Sequence, residues 1–240
     1  MSRIADEPGY LLHRRAYQET SLILEILTAR HGRMGVVARG AHRRRGGAEM
    51  LQQFRPLRFT VGGRGELSTL IHCEPDGPVR VLVGERLYSG MYANELVMRF
   101  CQRGDPNEDL YCAYRDCLDG LASTMPLEAV LRRFEIALLQ ACGYGLLLTA
   151  TADTQAPIVA GRTYHYAVER GPLGLVPQNQ PTVAVPGAVL LALAGETVLE
   201  AADLPHAKRL LRFVLRHYLG AKPLAARALF EGGGECREPR

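Results

Sequence analysis

An α+β, multidomain architecture is predicted for this 240-residue chain: an N-terminal β-barrel, then a helical domain holding a small β insertion. Three observations predict it. Apolar residues recur at every second position through the first 75 residues, they recur at helical spacing after Pro78, and a stretch rich in Thr, Pro and Gly at 151–187 interrupts the helices. An apolar content of 47% is enough to bury a core.

The strand period is carried by Tyr10 to Tyr17, then by Leu22, Leu24 and Ile26, by Met34, Val36 and Ala38, by Leu57, Phe59 and Val61, and by Leu67, Thr69, Ile71 and Cys73. A turn near His31-Gly32, a basic loop with a helical turn at 48–53, and the Gly62-Gly63-Arg64-Gly65 link connect them. Five short strands with the longer connection after the third suggest a Greek-key barrel of the OB type, a common host for oligonucleotides. Strand count does not fix topology, and an SH3-like barrel is the rival.

Helical stripes follow at Leu87, Met91, Leu96, Val97 and Phe100, at Leu110, Ala113 and Leu118, and at Leu127, Val130, Leu131, Phe134, Leu138 and Ala141. Pro126 and Glu128 suit the first turn of the third helix, and Gly143 with Gly145 ends it. An extended run at Thr163 to Val168 marks the insertion. Helices resume at Ala188 to Ala194, at Leu204 to Leu219 with Asp203 as expected N-cap and Gly220 past the end, and at Pro223 to Phe230. The expected division is a barrel domain at 1–80, a helical domain at 81–150 and 188–240, and the insertion at 151–187.

Charge is segregated along the chain. Residues 1–82 carry 13 Arg against 8 acids, whereas 83–150 carry 6 against 9. A local positive field concentrates polyanions even when whole-chain charge is only +4. Arg43, Arg44 and Arg45 stand consecutively between glycines at 40 and 46, where mutual repulsion favours solvated chain or a facing polyanion, and guanidinium matches phosphate geometry. Arg14, Arg15 and Tyr17 on the first strand, Arg39 after the third and Arg64 at a loop tip complete the expected DNA-binding set. Arg58 is also expected to point outward. Arginine beside aromatic rings is the composition of a single-strand platform. A basic loop on a solvated surface is the plain alternative.

Lys208, Arg212 and Arg216 recur every fourth residue in the 204–219 helix, opposite Leu210, Leu211, Val214 and Leu215. Such a ridge suits solvent, DNA or an acidic protein partner. In this region the runs His206-Ala207-Lys208-Arg209-Leu210-Leu211, Tyr218-Leu219-Gly220-Ala221-Lys222-Pro223-Leu224 and Arg227-Ala228-Leu229-Phe230 resemble the C-terminal signature of the RecO family of bacterial recombination and DNA repair proteins. Tyr88 to Leu96, Leu131 to Glu135 with Cys142 to Gly145, Glu19 to Leu22, Gly32-Arg33 and Arg39-Gly40-Ala41 resemble further motifs of that family, in its order.

The resemblance implies a DNA repair and recombination mediator that binds single- and double-stranded DNA, anneals complementary strands without ATP, and with RecR assists loading of RecA. It also implies a dock for the acidic, hydrophobic-ended C-terminal tail of single-stranded DNA-binding protein, for which Arg132, Lys208, Arg212 and Lys222 are the expected cations. Such a protein acts in the cytoplasm, associated with the nucleoid. Some members hold zinc in the insertion through four cysteines. Residues 146–187 of this chain hold no cysteine and only His165, so no metal and no cofactor is expected.

Other classes find little support. No GxxxxGK[ST], HExxH or GxSxG motif is present, so an enzyme is not expected. Cys142 and the pair Cys112 and Cys117 read as packing thiols, and the six cysteines form no CxxC pair. No apolar run approaches the roughly 18 residues of a membrane span. A nucleic-acid-binding regulator on the same barrel, without annealing activity, is the competing function.

Overall fold

The computed structural model describes residues 3–41, 47–63, 67–177, 179–220 and 222–232, and it resolves the choice of barrel. Strands β1 (Arg3–Tyr17), β2 (Ser21–Thr28), β3 (Gly32–Ala38), β4 (Pro56–Gly62) and β5 (Leu67–Pro75) close in the order β1-β2-β3-β5-β4. The β3–β5 pairing is parallel and every other pairing is antiparallel. A short helix, α1 (Gly47–Met50), lies between β3 and β4. This is the five-stranded Greek-key arrangement of the OB type.

Alternation places the barrel core. Leu11, Leu22, Leu24, Ile26, Val36, Ala38, Leu57, Phe59 and Val61 form one buried cluster. Strand β5 departs from its expected face: Ile71 is 47% exposed and Leu67 is exposed, while Leu70 and Cys73 pack against the cluster. The cause is a register shift opposite Thr60 and Val61, which pair with His72 and Leu70, so Ile71 is the extra residue of a bulge.

Strand β1 starts seven residues earlier than the Tyr10 its pattern suggests, because Arg3 to Gly9, which carry no apolar alternation, pair with β4 through a register shift between Ile4 and Glu7. Leu11 faces the barrel interior, while Tyr10 packs on Tyr111 and Tyr114 with ring centroids 5.7 and 5.3 Å apart. Unbroken burial of Tyr10, Leu11 and Leu12 erases the alternation that marks a half-exposed strand.

Helices α2 (Glu85–Phe100) and α3 (Glu108–Leu121) follow, and α3 is capped by Asn107, whose side chain accepts the Leu110 N–H at 2.9 Å. The buried face of α2 is built from small and polar residues, Ser89, Gly90, Ala93 and Asn94, together with Tyr92, Leu96 and Val97. A Cβ at Gly90 would stand 2.8 Å from the Phe54 ring. Asn94 donates to the Leu12 carbonyl at 2.9 Å and accepts from the Tyr114 hydroxyl at 2.5 Å, so one buried amide ties α2 to both β1 and α3. The last helix, α7 (Ala225–Gly232), packs on α2.

By internal contacts the chain forms two compact units, Met1–Ser123 with Leu224–Arg240, and Thr124–Pro223. The change from strand to helix near residue 80 therefore falls inside the first unit. The second holds α4 (Leu127–Ala141), a three-stranded antiparallel sheet of β6 (Thr163–Ala167), β7 (Gly171–Leu173) and β8 (Val183–Pro186), then α5 (Gly187–Leu193) and α6 (Leu204–Leu219). The Tyr164 hydroxyl accepts the Val159 N–H at 2.9 Å and fixes the loop entering the sheet. Asp203 does not cap α6: it lies in a 3-10 turn, Ala201–Asp203, has helical backbone angles and makes no capping bond.

Candidate nucleic-acid interface

Two strand ends and a turn build the site. Tyr17 ends β1 opposite Ser21, the turn between them passes through Gln18 at φ 54°, and β3 runs out into Arg39 and Gly40. These segments line one open groove, formed by Tyr17, Gln18, Thr20, Ser21, Val37, Arg39 and Gly40. Tyr17, 39% exposed, thus lines the same groove as Arg39 although 21 residues separate them. Gly40 has φ 63°, a conformation that suits glycine. Arg43, Arg44, Arg45 and Arg64 themselves lie outside the described residues.

Ion pairing sorts most of the remaining barrel arginines; Arg3, exposed at the start of β1, and Arg55, half-buried before β4, enter no ion pair among the described residues. Arg30 reaches the buried carboxylate of Glu7 at 2.8 Å, Arg33 and Arg103 both approach Glu25, and Arg80 meets Asp119 at 2.5 Å. Arg58 points outward as expected but is held by Asp6 and Asp76, each at 3.0 Å, and the Asp76 hydrogen bond raises its pKa. Arg15 and Arg39 are exposed and, among the described residues, enter no ion pair or hydrogen bond. Arg14 is exposed and its Nη1 donates to the Leu51 carbonyl at 2.9 Å, which orients the head group. Arg15 and Arg39 thus leave uncompensated guanidinium at the Tyr17–Arg39 end of the barrel.

The second unit treats its four expected cations unequally. Arg132 is only 3% exposed: its Nη2 donates to Glu135 at 2.8 Å and its Nη1 stands 3.8 Å from Glu128. It is an interior residue, not a rim charge, because α4 turns it toward the buried Glu135. Lys208 on α6 is bound to Glu128 at 2.5 Å. Arg212 and Lys222 are exposed.

No group of three metal-ligating side chains occurs among the described residues. Burial pushes the Cys73 thiol up to about 12, which leaves it protonated and unreactive at neutral pH. Cys112 and Cys142 are half-buried and Cys117 is buried. No helix of the described chain is long and apolar enough to cross a membrane.

A closed OB-type barrel with an unpaired arginine edge defines a nucleic-acid-binding class of protein. Comparison with known families narrows it: residues 1–78 match the family "Recombination protein O N terminal" and residues 82–228 match "Recombination protein O C terminal". The chain belongs to the RecO family of DNA repair proteins. It is 43% identical over 230 residues to the DNA repair protein RecO of Nitrosococcus oceani, covering 95% of this chain and 94% of that one. The RecO of Methylococcus capsulatus is 44% identical over the same shares, and that of Azoarcus sp. is 37% identical over 95% of this chain and 96% of its own.

Proposed function

We propose that this chain is an ATP-independent recombination mediator that binds single- and double-stranded DNA, anneals complementary strands, and with RecR assists loading of RecA at the nucleoid. The observation that carries the reading is the sorting of arginines: carboxylates neutralise Arg30, Arg33, Arg58, Arg80 and Arg103, while Arg15 and Arg39 beside the Tyr17 groove are left for a ligand. Annealing opposes the repulsion between two phosphate backbones, and a basic surface that neutralises both lowers that repulsion without nucleotide hydrolysis. Binding rather than covalent catalysis is thus the activity assigned.

The acidic tail of single-stranded DNA-binding protein is the second ligand proposed, at the Arg132 region of the second unit. Two Arg132 nitrogens, Nε and Nη1, are buried without a hydrogen-bond partner among the described residues, and a tail carboxylate that displaces Glu128, 3.8 Å from Nη1, would satisfy them. Mixing two complementary oligonucleotides with the purified chain, without ATP, tests the main reading: duplex should form at least tenfold faster than in buffer. DNA binding without any acceleration would leave a regulator on the same barrel.

A further inference from the structure

Helix α6 carries Lys208, Arg209, Arg212 and Arg216 and not one carboxylate in sixteen residues. Like charges at i, i+4 work against a helix, so this pattern needs a compensating anion. Glu128 answers Lys208 alone. Arg209 is exposed and its Nη2 donates to the Ala184 carbonyl at 2.7 Å, which orients the guanidinium but leaves its charge. The side chains of Arg212 and Arg216 are exposed and make no ion pair or hydrogen bond among the described residues.

Geometry puts these three arginines on one face. Spacings of three and four residues align them, and at 1.5 Å per residue they span about 10 Å. One DNA strand offers a phosphate about every 3.4 Å of axis, so the stripe matches roughly three successive phosphates. The opposite face, with Ala207, Leu210, Leu211, Val214 and Leu215, is buried, and α6 exposes no large apolar side chain. A hydrophobic-ended acidic peptide would find no apolar wall on the arginine face, whereas a phosphodiester backbone needs only guanidinium.

We propose that the Arg209–Arg212–Arg216 face of α6 is a second phosphodiester site, which holds the backbone of one DNA strand while the barrel holds another. The site rests on the annealing reading for its purpose, and it assigns Arg212 to DNA rather than to the rim of a peptide dock. Each compact unit then has its own DNA contact.

Donor- and acceptor-labelled oligo-dT strands, which cannot pair, test the site in the full chain through energy transfer between two strands held together. Arg212→Glu with Arg216→Glu should reduce co-occupancy and the annealing rate at least tenfold, while first-strand affinity changes less than threefold. Arg15→Glu with Arg39→Glu should instead weaken the first strand. Co-occupancy and annealing unchanged in the α6 variant overturn the proposal. So does retained co-occupancy with loss of an acidic tail peptide, which would make the face a protein dock. A wild-type chain that holds two strands but never anneals them would sink the annealing reading and leave the second site standing. Should the double Glu variant fail to fold, Arg212→Gln with Arg216→Gln reads the same quantities.

Discussion

The Glu95 carboxylate on α2 accepts the backbone N–H of Ala225 through Oε1 and that of Ala226 through Oε2, both at 2.9 Å. A side chain 130 positions upstream thus satisfies the first donors of α7, which has no capping side chain of its own before Ala225. Glu95→Ala should cost about 0.5–2 kcal/mol, the range for a lost N-terminal cap, and should speed amide exchange selectively in α7. Uniform protection in the variant would remove Glu95 from that role.

The barrel edge is expected to show its phosphate contacts in the salt dependence. Replacing Arg15 and Arg39 by Glu should weaken single-strand binding and lower the magnitude of the slope of log K against log salt by roughly 1.4, about 0.7 for each lost contact. Replacing Arg43, Arg44 and Arg45 together should lower it further. A folded variant with an unchanged slope places the DNA elsewhere.

Arg132 needs a cautious choice of substitution, since Glu135 beside it is buried. Arg132→Glu should destabilise the chain by about 3–5 kcal/mol by leaving buried carboxylates uncompensated. Arg132→Lys keeps the charge but not the planar fork, and should weaken binding of a labelled acidic tail peptide while the urea midpoint moves far less. Fluorescence anisotropy and urea unfolding separate the two effects.

Alkaline pH should destabilise the first unit. Burial raises the hydroxyls of Tyr10 and Tyr114 above the usual 10 and that of Tyr111 to about 12, and raises the Cys73 thiol from 9.0 to about 12. For groups whose folded pKa lies above the unfolded one, the stability is whole below the unfolded pKa and is lost as pH climbs through the folded pKa. Urea midpoints should therefore hold to about pH 9 and fall between about 9 and 12. A flat profile to pH 12 would show these groups to be solvated.

Metal removal should change nothing. Elemental analysis of the purified chain is expected to find no stoichiometric zinc, and chelator should leave both Tm and annealing unaltered. One tightly held zinc per chain would require ligands outside 146–187.

Local chemistry determined the type of most elements: alternation at Leu22 to Ile26 and Leu57 to Val61 gives barrel strands, and Gly220 with φ 69° ends α6 where its residue type says it should. The same chain order determined that arginine would crowd residues 1–82. Tertiary structure decided which arginines are available, because pairing with Asp6, Glu7, Glu25 and Asp76 joins residues 8 to 78 apart and no local pattern records it. It also turned Arg132 inward, slipped β5 by a bulge so that Ile71 faces out, and brought Tyr17 and Arg39 to one groove. Side-chain period is a local property of the backbone, whereas burial and charge compensation depend on which distant segment arrives opposite, and only the closed barrel and packed helices supply that segment.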